Sequence, residues 1–327
     1  MSESGPKIEA IRALRDQLTA QTLRTPVVRC AAIEDEIGAG TRVIAKLEFL
    51  QRTGTFKARG ALATLHGLTA KALKNGVTAV SAGNHAIATA YAAKMVGTTA
   101  KVVMISSANP SRIVACKSYG AEVVLVDDVH KAFDVAQSIQ DKEGRFFVHP
   151  FEGPTIALGT GAVGLEICEQ VEDFDAIVVP VGGGGLIAGV SNAIKRLRPS
   201  AEVIGVEPEG AATMHRSFST GRAESIDKVT TIADSLGAPF AMPYSFGLAR
   251  KNVDRLVMID DLQLRQTMGF LFQAMSIAVE PACAAATAAL LGPLRESLLG
   301  KRIVLLMCGS NIDWATFSEQ AIFDHAD

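Results

Sequence analysis

Short runs of branched apolar residues recur along this chain, and nearly every one is followed by a stretch with helical spacing. The spacing predicts strands over Val77–Val80, Lys101–Ile105, Glu122–Val126 and Phe146–Val148, with helices over Asn84–Val96, Pro110–Tyr119 and His130–Gln140 between them. A second block repeats the rhythm. Helix over Ile156–Val171 is followed by strand Ala176–Val181, a helix reaching Leu197, and strand Glu202–Val206. Strand Arg255–Ile259, helices Asp261–Ala278 and Ala282–Leu291, and strand Arg302–Met307 complete it. Ahead of both blocks lie helix Ile8–Leu18 and short strands Pro26–Arg29 and Arg42–Leu47, and Gly210–Ala249 reads as irregular. Strands apolar on both faces and joined by helices belong in parallel sheets covered on both sides. The expected fold class is therefore α/β, with two open parallel-sheet αβα domains. Residues 1–50 with 150–327 form the larger and residues 51–149 the smaller. A ligand belongs at the carboxyl ends of the strands, in the cleft between them.

Composition narrows the function classes. The chain has 327 residues, net charge −2 and scattered rather than clustered Lys and Arg, so neither nucleic acid nor an anionic membrane is an expected partner. The most apolar long stretch, Ser276–Leu294, is interrupted by Glu280, Pro281 and Pro293 and reads as buried helix, not as a membrane span. Five cysteines without CxxC spacing argue against a disulfide framework or a zinc site. The N-terminus has no apolar signal core. A cytoplasmic protein is expected.

Four stretches carry chemistry. A helix-like pattern opens at Phe56, which places Lys57 in its first turn, just past Gly54. A cation is mildly disfavoured there by the helix dipole. A surface lysine is the plain reading; a nucleophilic amine of lowered pKa is the chemical one. Ser81-Ala82-Gly83-Asn84-His85 joins a strand to a helix start, where a carboxylate would be welcome. Gly182-Gly183-Gly184-Gly185 follows a buried strand and leaves backbone amides free to wrap a phosphate. Gly183, Gly185 and Ala188 also satisfy G-x-G-x-x-A, and Glu207 lies at the end of the next strand, which keeps a nicotinamide-dependent oxidoreductase in view. Cys308-Gly309-Ser310-Asn311 follows the last strand; alone, Cys308 reads as a core thiol.

Taken together, Gln51–Ala61, Ser81–Ala86, Gly182–Leu186 and Cys308–Asn311 resemble, in the same order, the pyridoxal-phosphate enzymes of the tryptophan-synthase β-like fold (fold type II), most of all the serine/threonine dehydratases. The resemblance implies pyridoxal 5'-phosphate as cofactor, carried covalently on Lys57 with Phe56 beside its ring. It implies that Asn84 bonds the phenolic oxygen, that Gly182, Gly183, Gly184, Gly185 and Leu186 hold the phosphate, and that Cys308 faces the ring nitrogen. Ser81, Ala82, Gly83, Asn84 and His85 would close on the substrate carboxylate. The implied activity is deamination of a small β-hydroxy amino acid such as threonine or serine to a 2-oxo acid and ammonia. Bulkier or acidic substrates (phenylserine, 3-hydroxyaspartate) and serine racemisation are alternatives. Against the last, the related racemases have a proton-donating serine where Ala82 stands. A divalent ion bound by some relatives through a glutamate, a carbonyl and an aspartate matches Glu207 and Ala211 but meets Thr213 at the third place. No metal is expected, and Glu207 reads as a salt-bridged structural acid. Ser235 stands where the family usually has glycine beneath the ring, and Glu280 is left beside the site without a direct role. A homodimer is expected from the resemblance alone.

Overall fold

The computed structural model describes residues 4–323. In chain order the strands are β1 (Val27–Arg29), β2 (Arg42–Leu47), β3 (Val77–Val80), β4 (Ala100–Ile105), β5 (Glu122–Val126), β6 (Phe146–Phe147), β7 (Ala176–Pro180), β8 (Glu202–Pro208), β9 (Arg255–Ile259) and β10 (Arg302–Met307). The helices are α1 (Ile8–Gln17), α2 (Ala31–Ile37), α3 (Lys57–His66), α4 (Ala70–Asn75), α5 (Asn84–Val96), α6 (Pro110–Ser118) and α7 (Val129–Glu143). They continue with α8 (Pro154–Gln170), α9 (Gly185–Leu197), α10 (Thr213–Thr220), α11 (Pro243–Asn252), α12 (Asp261–Met275), α13 (Pro281–Leu291) and α14 (Trp314–Gln320).

Two sheets form. The first has order β1-β2-β10-β7-β8-β9, the second β5-β4-β3-β6. All pairings are parallel except one: β1 runs antiparallel to β2. The apolar runs account for this. Ala176–Pro180 of β7 is buried at every position, as a central strand of a sheet covered on both faces must be. β1 is short and exposed at the edge, and an edge strand can join in either direction. The alanine-rich α13 packs against β7, β8, β9 and β10 on the first sheet. α8 packs against α9, α3 and α1, so one helix braces both segments that enter the cleft.

Two sequence expectations need correcting, and three short helices had no expectation. Gly210–Ala249 is not wholly irregular; it contains α10 and α11, whose short, interrupted apolar patterns gave no clear period. The helix expected over Asp261–Ala278 stops three residues early, and the one expected over Ala282–Leu291 starts one residue sooner. α12 ends at Met275, Ser276 takes a left-handed conformation with φ of 56°, and a new helix starts at Pro281. Proline fits that first turn because its missing N–H is unpaired there anyway. α2, α4 and α14, at six or seven residues, were too short to show a helical period.

Candidate active site

The carboxyl ends of strands from both sheets meet in one cleft. β2 leads through a 3-10 turn, Glu48–Leu50, to the Lys57 segment. β3 leads to Ser81–His85, β7 to the glycine loop and β10 to Cys308. The first and last stretches are stitched together by backbone: Phe56 N donates to Cys308 O at 3.2 Å and Ser310 N to Gly54 O at 3.0 Å. Thr55 Oγ1 accepts from Lys57 N at 3.2 Å, which starts α3 at that residue.

Lys57 is half-buried, and its Nζ donates to the Pro150 carbonyl at 2.7 Å and lies 5.3 Å from the centre of the Phe56 ring. Burial lowers its pKa to about 8, although Cys308 and Glu280 pull the other way. A neutral, nucleophilic amine is thus within reach near physiological pH. Cys308 is buried, and its Sγ donates to Ala282 O at 3.5 Å. Its bond with Cys283 and its burial push the thiol well up, so it stays neutral.

The glycine loop is shaped by contact. A Cβ on Gly183 would lie 2.3 Å from the Phe151 ring, and Gly184 holds a positive φ of 87°. The loop ends at the N-terminus of the 13-residue α9, where the first amides have no intrahelical acceptor and face an anion favourably. Phe56, Lys57, Asn84, Ser235, Glu280 and Cys308 line one cavity together with Gly182, Gly183, Gly184, Gly185 and Leu186. Gly183→Ala is expected to weaken the hold on an anionic cofactor roughly 10- to 100-fold, the effect of crowding a packed site by a methyl group. Titration by visible absorbance checks this.

The Ser81–His85 loop is less uniform. Ser81 Oγ accepts from Gly83 N at 3.1 Å and tightens the turn into α5. Asn84 is buried and faces the cavity. Ala82 lies on a neighbouring cavity of about 330 Å³. His85 is turned inward: its Nε2 sits 2.8 Å from Val148 O, and burial drops its pKa to about 3. Its imidazole is thereby committed to the backbone and neutral, and what this loop offers an anion is its backbone and Ser81.

Glu207 is structural, but not through a salt bridge. Its carboxylate accepts from Met214 N at 2.7 Å and His215 N at 2.6 Å, capping the first turn of α10. Burial raises its pKa to about 8. With both oxygens held by amides, it does not point toward a ribose, and the nicotinamide reading loses its acid. Three contributors escaped the sequence reading. Arg112 of α6 binds Asp234 and also donates from Nε to Asn311 O at 3.1 Å. Phe151 and Pro150 come from the segment after β6. None has a local signature, because each acts across the cleft on residues distant in sequence.

A family model described as pyridoxal-phosphate dependent enzyme matches residues 18–309. The chain belongs to this family. Phenylserine dehydratase of Ralstonia pickettii is 52% identical to this pyridoxal-phosphate dependent enzyme over 313 residues, covering 96% of this chain and 95% of that one. L-threonine ammonia-lyase of Thermotoga maritima is 39% identical over 306 residues, covering 92% and 76%. Among solved structures, maize serine racemase superposes with a TM-score of 0.91 at 31% identity, covering 97% and 96%. The expected α/β, fold type II architecture and the expected cofactor, pyridoxal phosphate, both stand. The cavity fits that cofactor on its own evidence: an amine of lowered pKa, a glycine cradle that side chains would fill, an open helix N-terminus and a neutral thiol all face one space.

Proposed function

We propose that this enzyme dehydrates a β-hydroxy amino acid bearing a neutral, bulky β-substituent, of the phenylserine type, to a 2-oxo acid and ammonia. It is a lyase of the pyridoxal-phosphate dependent dehydratase group. The observation that carries the substrate choice is the cavity of about 330 Å³ that Ala82 lines, next to the Asn84 turn. Ile105, Ala108, Ile232, Pro281 and Ile312 give it apolar surface, and the uncharged Ser107, Asn109, Asn311, Thr316 and Gln320 stand between them. Arg112 is the cation on it, and that charge is already bound to Asp234 and lies 3.8 Å from Glu280. An acidic substituent would meet no free positive charge there, and a methyl group would leave most of the space unfilled. The 52% identity with phenylserine dehydratase, against 39% with the threonine enzyme, supports the same choice.

When bound, pyridoxal phosphate supplies an electron sink for the bond that breaks at Cα. The residues do the rest. Backbone amides at Gly182–Leu186 hold the phosphate against the positive end of α9. The N-terminal turn of α5, with Ser81, receives the substrate carboxylate. Lys57, held by Pro150 O, takes the Cα proton. The β-hydroxyl leaves as water with the proton that Lys57 has taken from Cα, and hydrolysis of the released enamine gives the 2-oxo acid and ammonia. The neutral Cys308 donates no full proton to the ring nitrogen, which favours prompt loss of the leaving group. Ala82 has no proton to deliver to the opposite face, so inversion of L-serine is not part of the proposal.

Coupled assays of 2-oxo acid release test this. With phenylserine, threonine, serine and 3-hydroxyaspartate compared, kcat/KM is expected to be highest for phenylserine, at least roughly tenfold above threonine, as a better-filled pocket confers. A preference for 3-hydroxyaspartate or for threonine overturns the substrate assignment. The proposal also includes a homodimer, a cytoplasmic setting and rigid units divided near residues 50 and 150. No helix among the described residues is long and apolar enough to cross a membrane. Light scattering of the holoenzyme decides the oligomer.

A further inference from the structure

Glu280 stands at the N-cap of α13, where a carboxylate ordinarily turns back onto its own helix. Its side chain makes no such bond. Instead it enters the cleft, 1% exposed, and Asn84 Nδ2 donates to its two oxygens at 2.8 and 3.1 Å. Gly309 leaves the room: a Cβ there would lie 2.6 Å from Glu280 Oε1. The glycine of the Cys308–Asn311 stretch thus has a steric reason.

Asn84 is held from its other end as well. Asn311 Nδ2 donates to Asn84 Oδ1 at 2.8 Å and to Thr53 O at 2.8 Å. An amide side chain has one oxygen that accepts and one nitrogen that donates twice. Turned over, Asn84 would set its oxygen against the Glu280 carboxylate and its NH₂ against the Asn311 NH₂. Both bonds would become repulsions. The carboxylate on the N–H side and Asn311 on the oxygen side therefore fix the orientation together. One N–H of Asn84 is held by Glu280, and Nδ2 also reaches Ser235 Oγ at 3.1 Å, inside the cavity that Lys57 lines.

We propose that Glu280 is a positioning residue: it locks the Asn84 amide so that an N–H, and never a carbonyl, is presented to the phenolic oxygen of the cofactor. That oxygen only accepts when ionised, so a reversed amide would repel it. Ser235 keeps the second N–H occupied until the cofactor takes it. The inference rests on the cofactor and is independent of which substrate is used.

Several charged or titratable groups face Glu280. Arg112 on α6 lies 3.8 Å away and favours the carboxylate. Asp234 opposes it, and Lys57 on α3 and Cys308 after β10 sense its charge. Burial pushes Glu280 up to about 7. Above that value it is ionised and can only accept. Below it the carboxyl carries its own proton, can donate, and no longer dictates which way Asn84 turns.

The test measures pyridoxal phosphate dissociation from the holoenzyme, by loss of its visible band, about one pH unit above and below 7. The wild type is expected to hold the cofactor roughly tenfold more tightly on the alkaline side, the scale of one hydrogen bond to a charged group. Glu280→Gln keeps the shape but carries an NH₂ of its own; it is expected to bind weakly at both values, without the step. Glu280→Asp keeps the charge and is expected to restore the step with a weaker overall hold. A Gln variant that matches the wild type at both pH values overturns the proposal. Where the Gln variant does not fold, the Asp variant decides: a step that disappears with the carboxylate retained overturns it equally.

Discussion

Lys57→Ala is expected to lose turnover by at least the roughly 10²–10⁴-fold that one positioned proton-transfer group supplies. The protein should also fail to retain label after borohydride reduction in the presence of pyridoxal phosphate, the outcome expected if the Lys57 amine is the one that forms the bond. The sign of the pH dependence follows from the same group. Only the neutral amine attacks the aldehyde of the cofactor, and burial lowers the Lys57 pKa to about 8. Capture of added pyridoxal phosphate by cofactor-free protein is therefore expected to accelerate as pH rises toward 8 and to level off above it. An exposed lysine would keep accelerating to beyond pH 10. Stopped-flow absorbance at several pH values separates the two profiles. A Lys57→Ala protein with wild-type turnover would remove Lys57 from the chemistry altogether.

The second large effect lies two residues on. Arg59 is buried, and its guanidinium is fully engaged. Nε donates to Glu48 Oε2 at 2.8 Å, Nη1 to Glu166 Oε1 at 2.7 Å, and Nη2 to Glu48 Oε1, Glu166 Oε2 and Leu23 O at 2.9, 2.8 and 3.0 Å. Lys46 Nζ completes the cluster by binding Glu166 at 2.6 Å. These residues come from β2, the turn after it, α3 and α8. The cluster thus ties the Lys57 helix to the first sheet and to the helix that braces the cleft. Replacing such a cluster wholesale by apolar residues costs little, but removing one partner strands the others. Arg59→Ala leaves Glu48 without its cation and halves the charge facing Glu166. Unfolding in urea should show about 3–5 kcal/mol less stability. Arg59→Lys should recover only part of this, because an ammonium cannot reproduce the two-sided fork. An unchanged urea midpoint for Arg59→Ala would mean that α3 is anchored by its apolar face alone.

Much of this protein is legible in its sequence. Short apolar strands alternating with helices belong in parallel sheets covered on both sides, and the central strands β7 and β8 are buried almost throughout. Val77–Val80, Asn84–Val96, Glu122–Val126, Arg255–Ile259 and Arg302–Met307 are elements with the very bounds that their pattern predicts. The glycine loop and the lysine at a helix start were visible because each breaks a local preference: four glycines where packing wants side chains, and a cation where the helix dipole does not.

What local pattern could not carry was decided by tertiary structure. The direction of β1 depends on an edge that either orientation can satisfy. His85 sits in the loop that a sequence reading gives to the substrate, yet its ring is spent on Val148 O. Glu207 ends a strand where a ribose acid would stand, yet it caps α10. The partners of Asn84 are Glu280 and Asn311, 196 and 227 residues away. The sequence by itself determined the strands and the longer helices, the family and the cofactor, because these rest on residues close together in the chain. Only the folded chain decided which polar groups face the cofactor and which are consumed by the backbone, because hydrogen-bond partners in a cleft between two sheets are chosen by geometry and not by neighbourhood in sequence.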